Sequence, residues 1–206
     1  MNKPINSRDV FGEIDIYLFD QLLKGRIQAG MRILDAGCGH GRNLRYFLNG
    51  GFHVCGVDGS ASAIDHLRLA ARELSSNCPP ENFCVEDVGR MSFADGDFDF
   101  IICNALLHFS KDDAHFERML LEMWRVLKVG GILFIRLASD IGIETRVRPI
   151  QGRWFHLPDG SDRYLVNEEI LLNWMHRLTA EQLEPIKTVN VQNLRCMTTW
   201  VMRKKS

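Results

Sequence analysis

Short aliphatic runs alternate with amphipathic stretches along most of the chain, the pattern of an α/β sheet with crossover helices. Residues 13–25 (EIDIYLFDQLLKG) read as a lead-in helix ending near Gly25, and 31–35 as a first strand. A helix over 42–49 is ended by Gly50-Gly51, and 52–57 form a second strand. Ser60 then caps a helix carrying Ala63, Ile64, Leu67, Ala71 and Leu74 on one face, broken at Cys78-Pro79-Pro80. Residues 83–86 are a third strand. Residues 98–103 (FDFIIC) are a fourth, and their near-continuous apolarity suits a strand covered on both faces.

The helix over 113–127 gives the clearest signal. Phe116, Met119, Leu120, Met123, Trp124 and Leu127 fall on one apolar stripe. Gly130-Gly131 close it before a fifth strand over 132–137. Asn167 is placed to cap a last helix, with Glu168 and Glu169 in its positive first turn. Residues 185–201 read as two strands with a turn near Gln192-Asn193, and strands joined so directly pair antiparallel. The sum is one domain over 1–206: a doubly wound sheet of seven strands, the last antiparallel, with helices on both faces.

Composition narrows the function. With 46% hydrophobic residues in 206, a sizeable core is expected. The 25 basic side chains against 26 acidic ones argue against a surface that coats nucleic acid, which needs a basic excess. No stretch approaches the roughly 20 apolar residues of a membrane span, and the N-terminus has no signal-peptide core, so a cytoplasmic protein is expected. The six cysteines include no C-x-x-C pair. They read as small buried hydrophobes in a reducing compartment, and no metal site is expected.

The chemistry starts at LDAGCGHGRN, residues 34–43. In an open parallel sheet a ligand binds beyond the carboxyl ends of the strands, and Gly37 and Gly39 let it approach the main chain. The spacing is G-x-G-x-G, with Arg42 where the dinucleotide G-x-G-x-x-G has its third glycine. Asp35 directly before the loop would repel a pyrophosphate and attract a cation. An amino-acid ammonium beside a sulfonium fits that field, which points to S-adenosylmethionine. Asp58 and Gly59 end the second strand, where a carboxylate can accept from both ribose hydroxyls, and Asp87 closes the third.

In these stretches the sequence resembles the class I S-adenosylmethionine-dependent methyltransferases of the type 11 and tellurite-resistance kinds. LDAGCGHGRN resembles their first motif, GVDGS the second-strand acidic motif, and EDVGRMSFADGDFDFII the segment into the fourth strand. NALLHF at 104–109 resembles the end of that strand, and EMWRVLKVGGILFI the R-V-L-K-P-G-G segment, with Val129 in place of proline. The match covers about 31–137. Gly41-Arg42-Asn43 is similar to the tellurite-resistance branch, and 87–109 to ubiquinone-biosynthesis and generic small-molecule branches. The resemblance implies a Rossmann-like fold and S-adenosylmethionine as cofactor, leaving S-adenosylhomocysteine. It implies that Gly37, Cys38 and Gly39 offer backbone to the methionine part, with Arg42 and Asn43 following, and Asp35 near the ammonium. Asp58 and Gly59 would hold the ribose, and Asp87 and Val88 the adenine. Asn104 would lie near the methyl donor. Tyr17 would close over the methionine end, unless it is a core aromatic.

The acceptor side is less generic. His108 is the candidate general base, with a hydrogen-bonded structural histidine as the alternative. Residues 139–166 are inserted before the last helix. WFHL and RYLV flank the turn PDGSD, so a β-hairpin is expected there, as a lid or as a dimer contact. Arg136, Arg146, Arg148, Arg153 and Arg163 cluster in this region with His156, nearly balanced by four acids. Arg136, Arg153 and His156 are the candidates for holding an anionic small molecule. The expected function is methyl transfer to a small molecule by a monomer or homodimer, without nucleic acid or membrane. A cofactor-binding protein without catalysis is the alternative, and a nicotinamide oxidoreductase is disfavoured by the loop spacing and by Asp35.

Overall fold

The computed structural model describes residues 6–75 and 78–205. The chain opens with two helices, α1 (Ser7–Phe11) and α2 (Ile16–Leu23). There follow β1 (Arg32–Ala36), α3 (Arg45–Asn49), β2 (His53–Asp58), α4 (Ala61–Leu74), β3 (Phe83–Val85), β4 (Phe98–Asn104) and α5 (Asp113–Val126). The second half holds β5 (Leu127–Ser139), β6 (Arg148–Gln151), β7 (Trp154–His156), β8 (Asp162–Tyr164), α6 (Glu168–Arg177), β9 (Ala180–Gln182), β10 (Lys187–Val191) and β11 (Arg195–Lys204).

The main sheet runs in the order β10-β11-β5-β4-β1-β2-β3, and the short β9 pairs with the end of β11. Strands β1 to β5 are mutually parallel, and β11 runs antiparallel to β5 over Ser139 to Ile132. This is the doubly wound Rossmann-like sheet of the sequence pattern. Its two faces alternate residue by residue. Ile33, Phe100, Ile102 and Phe134 pack with Leu18, Phe47 and Ile64 of α2, α3 and α4. Leu34, Ile101, Leu133 and Ile135 pack with Phe116, Met123 and Trp174 of α5 and α6. Burial on both sides explains why β4 shows no polar alternation.

The helix starts follow their side chains. Ser60 Oγ accepts the Ala63 N–H at 3.3 Å, and Asn167 Oδ1 accepts the Ile170 N–H at 3.0 Å. Gln192 and Asn193 both take positive φ, 52° and 56°, and turn β10 into β11.

Four boundaries differ from the sequence pattern. The lead-in helix begins at Ile16, because Asp15 Oδ1 accepts the Tyr17 N–H at 2.9 Å and caps it there, and α1 precedes it. The helix expected from residue 42 starts at Arg45, because Gly41 and Leu44 close successive tight turns onto Cys38 and Gly41 carbonyls. Helix α5 stops at Val126 without help from Gly130-Gly131, which lie inside the β5 span. Lys204 Nζ reaches the carbonyls of Trp124 and Leu127 at 2.6 and 2.9 Å and satisfies that helix end. The insertion is a three-stranded sheet and not a hairpin. The expected β7–β8 pair forms, and β6 joins it, its four residues all exposed and therefore without a hydrophobic signal.

The stripe on α5 gives a direct test. Leu120 is fully buried and Leu121 is 42% exposed. Leu120→Ala should cost about 2–5 kcal/mol, and Leu121→Ala should stay within about 0.5 kcal/mol, read as urea midpoints at unchanged slope.

Candidate active site

The carboxyl ends of β1, β2 and β4 converge on the glycine loop. The Gly37 and Cys38 N–H groups donate to the Val57 carbonyl at 2.8 and 3.0 Å, which folds the loop back onto β2. Asp58 then fastens it. One of its carboxylate oxygens accepts the Gly39 N–H at 2.9 Å and the other the Ser60 N–H at 2.8 Å. A single side chain thus ties β2, the loop and the start of α4. Gly37 has φ +76°, and a β-carbon there would meet the Leu106 side chain at 2.9 Å. Gly39 has φ +51°, yet a β-carbon on it would meet nothing within 4 Å. That open space is a cradle at the loop tip. Cys38 is buried, and burial pushes its thiol far up, so it is packing and not a nucleophile.

A cavity of about 500 Å³ opens beside the loop, lined by Gly37, Asp58, Gly59, Asp87, Val88 and Leu106 among others. Asp87 Oδ1 accepts the Gly89 N–H at 2.8 Å, and Arg118 lies 3.8 Å from its other oxygen. Glu86, the adjacent carboxylate, spends both oxygens on Ser92 at 3.0 and 2.7 Å.

Two buried polar side chains at the carboxyl ends of β1 and β4 are left without partners, although neither lines the cavity itself. Asp35 is 1% exposed with its Oδ2 unpaired, and Asn104 is 6% exposed with both amide atoms unpaired. Asp35 pairs in register with Ile102, and Asn104 is two residues further on, so the two share one sheet face. Burial raises the Asp35 carboxyl to about 7; nearby Arg42 opposes that rise and Asp58 adds to it. An arriving ammonium would restore its charge and fill the missing contact. The donor set therefore fits the amino-acid end of S-adenosylmethionine and would oppose a pyrophosphate.

The chain after β4 lines both this cavity and a second one. Residues Leu107–Phe109 form a single 3-10 turn, in which side chains three apart stand on one side. Leu106 and Phe109 line the first cavity, and Ala105 and His108 line the second. Ala105, with φ +62°, makes the bend. The second cavity is about 280 Å³ and is also lined by Arg42, Arg136, Arg163 and Arg195. Arg136 pairs with Asp15 at 3.1 Å and lies over the Tyr17 ring at 5.1 Å. Asn43 accepts the Asp15 N–H at 3.0 Å, so Tyr17, Asn43 and Arg136 form one buried link between α2 and β5.

Several candidates sit elsewhere than the pattern suggested. Arg42 is on the second cavity and not the first. Arg153 donates to the Leu165 carbonyl at 2.7 Å, and His156 pairs with Asp162 at 2.6 Å across β7 and β8; neither lines the second cavity. His108 is poorly suited to act as a base. Burial, reinforced by Arg163 and Arg136, lowers it to about 4, and its Nδ1 already accepts the Ala138 N–H at 3.2 Å. Sequence reasoning missed Arg195. Its signal is topological: β11 enters antiparallel, so its first residues meet the carboxyl end of β5 at Cys196 and Ser139.

The family described as "Methyltransferase domain" matches residues 34–135. Over 126 residues the chain is 31% identical to an arsenite methyltransferase of Aquipseudomonas alcaligenes, covering 57% of this chain and 35% of that enzyme. It is 31% identical over 120 residues to an uncharacterized methyltransferase of Schizosaccharomyces pombe, covering 58% of this chain and 79% of that protein. The chain spans only about a third of the length of the first curated relatives it matches. A solved S-adenosylmethionine-dependent methyltransferase of Methanosarcina mazei superposes with a TM-score of 0.73 at 24% identity, over 89% of this chain and 96% of that one.

Asp35 provides the test of the site's electrostatics. Its pKa in the folded chain is about 7, above the unfolded value, so its ionisation opposes folding. That penalty is absent below about pH 4, grows as pH rises and is complete above about 7. Asp35→Asn should therefore raise Tm at about pH 8, by a few kcal/mol in stability, and leave it nearly unchanged at about pH 4. S-adenosylhomocysteine binding should release a proton near neutral pH in the native protein and none in the variant. Equal melting shifts at both pH values would mean that Asp35 is ionised with a partner.

Proposed function

Because the chain belongs to the class I S-adenosylmethionine-dependent methyltransferases, we propose that it transfers a methyl group from S-adenosylmethionine to a small, anionic acceptor by in-line displacement. The observation that carries this reading is the Asp58-fastened glycine loop beside a cavity lined by Gly37, Asp58, Gly59, Asp87 and Val88, with two partnerless buried groups, Asp35 and Asn104, at the ends of the adjoining strands.

Bound S-adenosylmethionine would supply an already activated methyl, so the protein needs no electrophile of its own. The chain's residues then hold and orient. The backbone at Gly37, Cys38 and Gly39 borders the methionine part, and Asp35 offers its free oxygen to the ammonium. Asp58 keeps lone pairs for the ribose hydroxyls beyond its two backbone bonds, beside Gly59. Asp87 and Val88 face the adenine end. Tyr17 acts at one remove, as the platform beneath Arg136. Aligning acceptor and donor across the 104–109 bend can lower the barrier by about 7–11 kcal/mol.

In this reading the three-stranded insertion is a lid over the acceptor cavity within a single domain. Leu157, Ser161 and Arg163 contribute to that cavity's wall. The Trp154 Nε1–H donates to the Lys111 carbonyl at 3.0 Å and the Tyr164 hydroxyl to Asp113 at 2.8 Å, which dock the lid on the start of α5. No helix among the described residues is long and apolar enough to cross a membrane. We place the protein in the cytoplasm, as a monomer or homodimer.

Calorimetric titration tests the cofactor. S-adenosylhomocysteine should bind at micromolar levels, and NAD should not. Asp58→Asn keeps the side-chain shape and should weaken that binding about ten-fold or more. Binding of NAD in its place, or of neither, would overturn the assignment.

A further inference from the structure

The second cavity is net positive, with four arginines and one carboxylate in its lining. Among the described residues neither Arg42 nor Arg163 makes an ion pair, whereas Arg136 is matched by Asp15, and Arg195 lies 4.0 Å from Asp159. Asp159 is the one carboxylate on the wall, and one of its oxygens accepts the Ser161 N–H and hydroxyl at 3.0 and 2.6 Å. Burial raises the Cys196 thiol and keeps it protonated. His108 is 5% exposed, and its Nδ1 lone pair is taken by the Ala138 N–H. A neutral ring so held carries its proton on Nε2, which makes that nitrogen a donor. Arg163 is itself held in place, over the Phe109 ring at 5.0 Å and donating to the Asp162 carbonyl at 2.7 Å.

We propose that this cavity takes the methyl acceptor as a carboxylate, already ionised in water, with His108 as a fixed Nε2–H donor to it and Arg163 and Arg195 as its counter-charges. The proposal rests on the methyl-transfer reading above. A carboxylate oxygen uses one lone pair to form the new oxygen–carbon bond while the sulfur–carbon bond breaks and its electron pair returns to sulfur. Anion and sulfonium cancel, the product is a methyl ester, and no proton is left for the protein to remove. That balance suits a wall rich in donors whose one carboxylate, Asp159, is already engaged by Ser161 and Arg195. Arg42, on the same wall, reaches towards Asp35 and leaves the other guanidinium groups to the ligand.

The test uses the whole protein saturated with S-adenosylhomocysteine and labelled with ¹⁵N at histidine. At neutral pH the His108 resonances should report the Nε2–H tautomer. Benzoate or succinate at millimolar levels should shift the Nε2 signal, and benzamide, the neutral counterpart of benzoate, should not. An Nδ1–H tautomer, an imidazolium, or a response to neither acid would overturn the proposal. Two variants separate the donor role from a structural one. His108→Gln places an amide N–H near the Nε2 position, and His108→Asn keeps an acceptor for the Ala138 N–H. The proposal expects Gln to retain the acid's affinity and Asn to lose about ten-fold or more; the reverse order would make His108 structural. Arg163→Met should lose at least as much. Failure of S-adenosylhomocysteine to bind would strike the methyl-transfer reading alone, because the acids can be titrated into the cofactor-free protein as well.

Discussion

Covering both faces of the central sheet is the constraint on which everything else in this molecule depends. With α2, α3 and α4 on one side and α5 and α6 on the other, a charged side chain inside either layer would be isolated from water. Polar chemistry is left to the strand ends. The parallel strands all finish at the same edge, so Asp35, Asp58 and Asn104 come together there from distant parts of the chain. The edge is also where the antiparallel β11 begins, which adds Arg195 to the same neighbourhood. The hydrophobic packing thus decides where the site lies.

Within that edge the carboxylates have been given different tasks by their surroundings. Asp58 is satisfied twice by backbone and holds the loop's shape. Asp35, one strand away, is buried without a full set of partners and stores an unfavourable charge. Asp15 is absorbed by Arg136. Three aspartates of equal intrinsic acidity become a fastener, a buried group left short of partners and a strut.

Much of this was legible in the sequence because it rests on local or periodic signals. The α5 stripe, the Ser60 and Asn167 caps, the two terminal strands and the succession of glycine loop and strand-end acids all appear as expected. What escaped depends on contacts far apart in the chain. The end of α5 is set by Lys204, nearly eighty residues later, and not by the nearby glycines. Strand β6 has no buried residue and so no pattern to read. The sequence singled out Arg153 and His156 in the insertion, yet Arg163 is the one of the three that lines the cavity, while Arg153 and His156 bond within the small sheet's own segment. The Nδ1 of His108 accepts a backbone amide of β5, a contact that no motif around residue 108 encodes.

The 3-10 turn at Leu107–Phe109 has a consequence for how such a protein can diverge. Residues three apart serve one cavity, and the interleaved pair serves the other. In the proposed reading, cofactor fit and acceptor choice are therefore written on opposite sides of the same few peptide units. An altered side chain at 105 or 108 changes what is admitted on the acceptor side while Leu106 and Phe109 keep their places. On that reading, a lineage or an engineer would retune the acceptor by one or two substitutions without reopening the question of the methyl donor.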